Sequence, residues 1–187
     1  MHIPDKISKW IRAKNWTLHE HQIRMFKSSE CSSQLLIAPT GSGKTLAGFL
    51  PTIADLYLNP SQKLHTLYIS PLKALASDIK RNLETPIKEL ELKISVEDRT
   101  GDTKQSIKKK QRVIPPNILL TTPESLALLM SYPEAPSIFS SLKRIIVDEI
   151  HAITESKRGD QLFLAISNIR KYCLDAKIIG LSATVND

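Results

Sequence analysis

The segment Ala38-Pro39-Thr40-Gly41-Ser42-Gly43-Lys44-Thr45 carries the residue types of a phosphate-binding loop. Gly41 and Gly43 let the backbone turn sharply and approach a ligand closely. The successive N–H groups of Thr40, Gly41, Ser42 and Gly43 then form a nest, and a helix starting at the loop adds partial positive charge, so a triphosphate is favoured. Lys44 can reach the β- and γ-phosphates as a point charge, and Thr45 can place its hydroxyl on Mg²⁺. Ala38 stands where the usual pattern has its first glycine, which is tolerated if that position only ends a strand. About 100 residues downstream, Ile145-Ile146-Val147 leads into Asp148-Glu149-Ile150-His151. A carboxylate at a strand end near such a loop, Asp148, can hold Mg²⁺ through its water shell. The next, Glu149, can orient and deprotonate an attacking water. Alone, an apolar run ending in two acids is also what a solvated strand end looks like; the loop upstream turns it towards nucleotide hydrolysis.

These residues need a scaffold that brings two distant segments together. Short apolar runs supply it: residues 34–38, 67–70, 94–97, 118–121, 145–147 and 177–181 read as strands. Amphipathic stretches between them read as helices over about 43–57, 72–82, 104–112, 124–130 and 161–172. Alternation of this kind predicts an α/β domain with a mostly parallel sheet covered by helices on both faces. Ligands of such folds sit beyond the carboxyl ends of the strands, where the loop and the acids fall. Residues 1–30 do not alternate; they hold both tryptophans and a helical stretch around Leu18 to Phe26, and read as a helical prefix packed on the domain formed by 31–187.

The chain has 187 residues, the size of one domain, with 26 Lys+Arg against 19 Asp+Glu. Hydrophobic residues make up 41% and charged residues 24%, which excludes wholesale disorder. The longest apolar runs, 126–130 and 162–166, are five residues each, against about 20 for a membrane span. The first residues lack the layout of a secretory signal, and Cys31 and Cys173 cannot make a disulfide framework, so a cytoplasmic location is expected. His19 and His21 find no further ligands at metal-site spacing. The positive charge clusters: Arg99, Lys104, Lys108, Lys109, Lys110 and Arg112 stand against one acid, Asp102, in fourteen residues. Such a run is either a solvated helix face or a polyanion site.

Together these segments resemble the DExH-box helicases of superfamily 2. Ser70-Pro71-Leu72-Lys73-Ala74-Leu75 looks like motif Ia, Thr122-Pro123-Glu124-Ser125-Leu126 like motif Ib and Ser182-Ala183-Thr184 like motif III. Arg99-Thr100-Gly101-Asp102-Thr103 and Ser156-Lys157-Arg158-Gly159 look like the large-helicase-related (Lhr) group, which includes ligase-associated DEXH helicases. The resemblance implies a RecA-like fold and ATP with Mg²⁺. It places Gln22, sixteen residues before Ala38, where the family's Q-motif glutamine reads adenine, and Trp16 either beside the base or in packing. It implies that Pro71, Arg99, Gly101, Asp102, Thr122, Pro123 and Glu124 line a single-strand track, with Lys104 and Lys108 adding phosphate contacts. Ser182, Thr184 and His151 then link nucleotide state to nucleic-acid grip.

The same resemblance implies an ATP-dependent DNA helicase moving 3′ to 5′ in DNA repair, of which this chain is the first motor domain. The second RecA-like domain, with its arginine finger, lies outside these residues, so the isolated chain should hydrolyse ATP slowly or not at all. A monomer is expected, with single-stranded or partly duplex DNA as partner. An RNA substrate, or a stand-alone nucleic-acid-binding module without motor activity, are the alternatives that the residues leave open.

Overall fold

Apolar tetrads too short to stand alone pair side by side in one sheet. The computed structural model describes residues 3–29, 33–154 and 157–183. Two helices, α1 (Asp5–Ala13) and α2 (Glu20–Ser28), precede β1 (Gln34–Ile37). Then follow α3 (Lys44–Leu58), β2 (Thr66–Ile69), α4 (Lys73–Glu89), β3 (Val96–Arg99), α5 (Gln105–Val113) and β4 (Ile118–Thr121). The remaining elements are α6 (Pro123–Met130), α7 (Ala135–Phe139), β5 (Arg144–Val147), α8 (Ile150–Thr154), α9 (Lys157–Ile169) and β6 (Lys177–Ser182). The six strands are all parallel, in the order β1-β6-β5-β2-β4-β3. Parallel pairing needs crossovers, and the helices provide them.

Along β2, β4 and β5 side chains alternate between two buried layers, and the edge strand β1 contributes Leu36 to one of them. Leu36, Tyr68, Leu120, Ile146 and Ile179 pack with α2, α3 and α4 on one face. Leu67, Ile69, Leu119, Ile145 and Val147 pack with α6, α7 and α9 on the other. The amino-terminal helices join the first layer through Ile7, Ile11, Met25 and Phe26. At the carboxyl edge Val147, Ile69, Thr121 and Arg99 lie in one row across β5, β2, β4 and β3; this row meets Gly180 of β6, and Ile37 of β1 pairs Ser182, two residues further on.

Several elements depart from the sequence reading. Helix α4 runs to Glu89 through Pro86, because Ile79, Leu83, Pro86, Ile87 and Leu90 keep one buried stripe past the proline. Strand β3 lies two residues later than expected. It runs past the expected end at Glu97 through polar Asp98, because both acids are paired: Gln111 Nε2 donates to Glu97 Oε2 (3.0 Å) and Lys80 Nζ to Asp98 Oδ1 (3.1 Å). Helix α9 begins at Lys157 and ends at Ile169, earlier than expected at both ends. Cys173 is buried; Cys31 and the expected boundary at 30/31 lie outside the described residues.

Candidate active site and nucleic-acid interface

The loop after β1 takes the shape its glycines allow. Gly41 and Gly43 have φ of 78° and 77°, and Gly43 caps the fifteen-residue helix α3. That helix directs its free N–H groups and dipole at the loop. Lys44 is buried, and its Nζ donates to the carbonyls of Ala38 (2.7 Å) and Pro39 (3.1 Å). Neither acceptor is charged. Ser42 Oγ is buried with no hydrogen-bond partner among the described residues, and a Cβ on Gly41 would meet nothing within 4 Å. A cation with no counter-charge among the described residues, an orphaned hydroxyl and open space at the loop fit a phosphate ligand. Gln22, nearly fully buried, joins the loop from α2: its Nε2 donates to Gly43 O (3.1 Å) and its Oε1 accepts from His19 N (2.8 Å). A Cβ on Gly43 would stand 2.4 Å from Gln22 Nε2 and push that amide off the loop, while the φ of 77° is what favours glycine there. Trp16 is half exposed and packs edge-on against Trp10 at 5.4 Å, outside the core. His19 and His21 stack on each other, and no metal-ligating cluster exists among the described residues.

The acids emerge at the same edge. Strand β6 alone separates β1 from β5, so two strand spacings, about 10 Å, lie between the two strand ends. Asp148 follows Ile146 by two, which places it on the sheet face that α3 covers. Its Oδ2 accepts from Tyr68 Oη, and its Oδ1 accepts from Glu149 N (2.9 Å). Burial, reinforced by the Asp148 carboxylate, pushes the Tyr68 phenol far above its ordinary pKa, so the hydroxyl is the donor. Glu149 has φ 48°, a left-handed conformation that side chains larger than asparagine rarely adopt. The turn lifts its half-buried carboxylate out of line with the strand and sets Oε2 3.4 Å from His151 Nδ1. His151 Nδ1 also lies 3.0 Å from Ser182 Oγ, joining two of the three expected coupling residues. Thr184 lies outside the described residues. These donors suit a hydrated Mg²⁺ ion: Thr45 and Asp148 would hold it, with Asp148 already oriented from within.

The remaining predicted residues continue along the edge, over β2, β4 and β3. Pro71 follows β2 and is partly exposed. Thr122 caps α6, its Oγ1 accepting from Ser125 N (3.4 Å), and Pro123 takes the first helical position. Glu124 is engaged by Arg158 Nε (2.7 Å), which ties α6 to α9. Gly101 O accepts from Lys108 Nζ (3.2 Å), and Asp102 pairs with Lys73 Nζ (2.9 Å). Lys104 is exposed and has no ion pair among the described residues. Arg99 differs from the expectation. It is 1% exposed, and its Nη1 donates to Lys108 O (3.0 Å) and Gln111 Oε1 (3.3 Å). Its guanidinium fastens α5 to the end of β3 and is not open to a ligand. Arg112 is likewise occupied, 4.1 Å from the Tyr132 ring centroid and 3.7 Å from Glu134. Sequence reasoning missed Tyr68, Gln111 and Lys73. The signal for Tyr68 was its place two residues before Ser70, on the same strand face as the residue after Val147.

The sheet order, the loop and the acidic strand end define a RecA-like nucleotide-binding domain. The family model for DEAD/DEAH box helicases matches residues 19–187, and the chain belongs to that family. It is 38% identical to ATP-dependent helicase Lhr-Core protein 2 of Thermococcus barophilus, over 98% of this chain and 23% of that protein. It is 44% identical to the Lhr helicase/probable uracil glycosylase of Mycolicibacterium smegmatis, over 84% of this chain and 11% of that protein. Among solved structures, Mycobacterium smegmatis helicase Lhr bound to ssDNA and AMP-PNP superposes with a TM-score of 0.90 at 37% identity, over 98% of this chain and 25% of the other. The helicase MrfA bound to DNA and AMPPNP gives 0.86 at 29% identity, over 99% and 27%. The chain thus spans about a quarter or less of the length of the relatives it matches. No helix among the described residues is long and apolar enough to cross a membrane.

Proposed function

We propose that this chain is the first, ATP-binding motor domain of a longer Lhr-type DNA helicase. In this reading residues 1–30 are its helical prefix and 31–187 the RecA-like domain, with the second such domain elsewhere in the parent protein. The observation that carries it is the shared carboxyl edge: the loop of β1, the acids of β5 and the ends of β2, β4 and β3 all emerge on the same side of one parallel sheet. ATP at one end and a DNA strand along the other would share the acids and β2 between them.

Lys44 and the N–H groups of Thr40, Gly41, Ser42 and Gly43 bind the phosphates, and Gln22 contacts adenine once its amide exchanges its present bonds to Gly43 O and His19 N for the base. Magnesium held there would supply positive charge against the phosphate charge that develops during hydrolysis. Thr45 and Asp148 orient it, and Glu149 accepts the proton of the attacking water. Pro71, Gly101, Asp102, Thr122, Pro123 and Glu124 border the strand, while Lys104 and Lys108 meet its phosphates. His151, Ser182 and Thr184 relay between the two halves. Proximity to DNA-bound and AMP-PNP-bound relatives supports DNA and ATP as ligands. Movement 3′ to 5′, a role in repair, a monomeric state and a cytoplasmic location complete the reading.

Lys44→Ala tests the nucleotide end. Losing a charge-assisted contact of about 1.5–3 kcal/mol should weaken binding of a fluorescent ATP analogue by roughly 10- to 150-fold. Unchanged affinity would remove the loop from the site. The other end is tested by salt. Lys104→Ala should flatten the slope of log K against log salt for a single-stranded oligonucleotide by about 0.7. Lys63→Ala, at the amino edge of the sheet, should leave it unchanged. Strand displacement on DNA, RNA and hybrid duplexes by the full-length protein decides the substrate.

A further inference from the structure

We propose that Tyr68 is a positioning residue for the cation site: its hydroxyl fixes the Asp148 carboxylate in the orientation that accepts Mg²⁺. The proposal rests on the reading of Asp148 as the residue that holds the cation.

Tyr68 lies on a central strand, with 0% of its surface exposed. Its ring packs against Phe49 of α3, centroids 5.4 Å apart, so the position of the hydroxyl is set by the core and not by solvent. Phe49 stands five residues after Lys44 on the helix that the phosphate loop opens. From this clamp Tyr68 Oη donates to Asp148 Oδ2, while Glu149 N donates to Oδ1 at 2.9 Å. A carboxylate has about four lone-pair positions. Two are thus taken by neutral donors held in the fold, one on each oxygen, and the others remain for a cation and its water shell. Neither donor is cationic, so neither competes as a counter-ion for the carboxylate.

Phenylalanine at 68 would fill nearly the same space between α3 and the sheet. It would leave Asp148 Oδ2 without this donor and free the carboxylate to rotate. The phenol is the group that makes orientation independent of the metal. Outer partners of this kind typically change metal affinity by about 10- to 100-fold.

The test uses the full-length protein and a fluorescent non-hydrolysable ATP analogue titrated with Mg²⁺. In Tyr68→Phe the Mg²⁺ concentration for half-maximal binding should rise by about 10-fold or more. Analogue affinity in EDTA should stay within about twofold, because no phosphate contact changes. A purely structural tyrosine would lower the unfolding temperature without moving the Mg²⁺ midpoint. Adding Tyr68→Phe to Asp148→Asn should produce no further shift, since both act through one carboxylate. Phe49→Leu keeps the hydroxyl but loosens the ring, and gives a second route should Tyr68→Phe fold poorly: the midpoint should rise again, by less. A wild-type midpoint retained in both variants overturns the proposal alone. Wild-type binding that ignores Mg²⁺ overturns the reading of Asp148, and the proposal with it.

Discussion

Glu149→Gln in the full-length protein is expected to lower DNA-stimulated ATP turnover by about 10²- to 10⁴-fold, the usual contribution of a positioned general base. Nucleotide and DNA affinities should remain within about threefold of wild type, because an amide fills the same space and Glu149 makes none of the phosphate contacts. The backbone supports this separation. Glu149 adopts φ 48° while its N–H donates to Asp148 Oδ1, so the turn orients Asp148, proposed to face the metal, through its main chain and leaves the Glu149 side chain, the proposed base, separate from that contact. Only the second function is lost in glutamine. At 1.36 kcal/mol per decade, the effect is about 3–5 kcal/mol of transition-state stabilisation. Asp148→Asn should behave differently, raising the Mg²⁺ requirement as well as slowing turnover. Single-turnover hydrolysis beside equilibrium binding of the analogue measures both. Turnover within tenfold of wild type in Glu149→Gln would reassign the base, and His151, 3.4 Å from Glu149 Oε2, would be the first group to examine.

How far the site could be read in advance follows from the distance over which each feature is encoded. The loop from Ala38 to Thr45 is local: glycine spacing, lysine and the following helix lie within a few residues, and the φ values of Gly41 and Gly43 follow from them. The acids were legible because an apolar strand that ends in Asp148 and Glu149 marks its own carboxyl end. What no local pattern contains is the strand order. That β6, last in the chain, inserts between β1 and β5 sets the spacing of loop and acids. Arg99 shows the opposite failure. In a basic segment a guanidinium reads as a phosphate ligand, but Gln111, twelve residues on, supplies a buried acceptor and takes it into the core. Tyr68 was hidden because an aromatic in an apolar run is ordinarily packing; its hydroxyl matters only once Asp148 is seen on the same sheet face.

The second large effect lies at the opposite edge of the sheet and concerns stability. Arg144 opens β5 with a buried side chain, and its Nη1 donates to Asp55 Oδ2 of α3. Its Nε has no hydrogen-bond partner among the described residues. His65 stands 3.6 Å from the same Asp55 oxygen and bonds Thr66 Oγ1 at 2.9 Å. Burial alone would raise the Asp55 pKa, but the His65 hydrogen bond and the Arg144 charge more than offset it and hold the carboxyl below its ordinary value. Asp55→Ala therefore leaves a guanidinium buried without a counter-charge, at a cost of about 3–5 kcal/mol. For a chain of this size that is a fall in unfolding temperature of roughly 6–20 °C. Replacing both partners, in Asp55→Ala/Arg144→Met, should recover much of the loss, because apolar packing substitutes for a pair whose desolvation nearly cancels its attraction. The pH dependence has a defined sign. A carboxyl with a lowered folded pKa stabilises above its unfolded value, near 3.8, and loses that contribution as pH falls through the folded one. The gap between wild type and Asp55→Asn should thus be full at neutral pH and close below about pH 4. Urea unfolding at several pH values measures it. A gap that widened with acid, or a cost under about 1 kcal/mol for Asp55→Ala, would show that Arg144 is anchored by something other than this carboxylate.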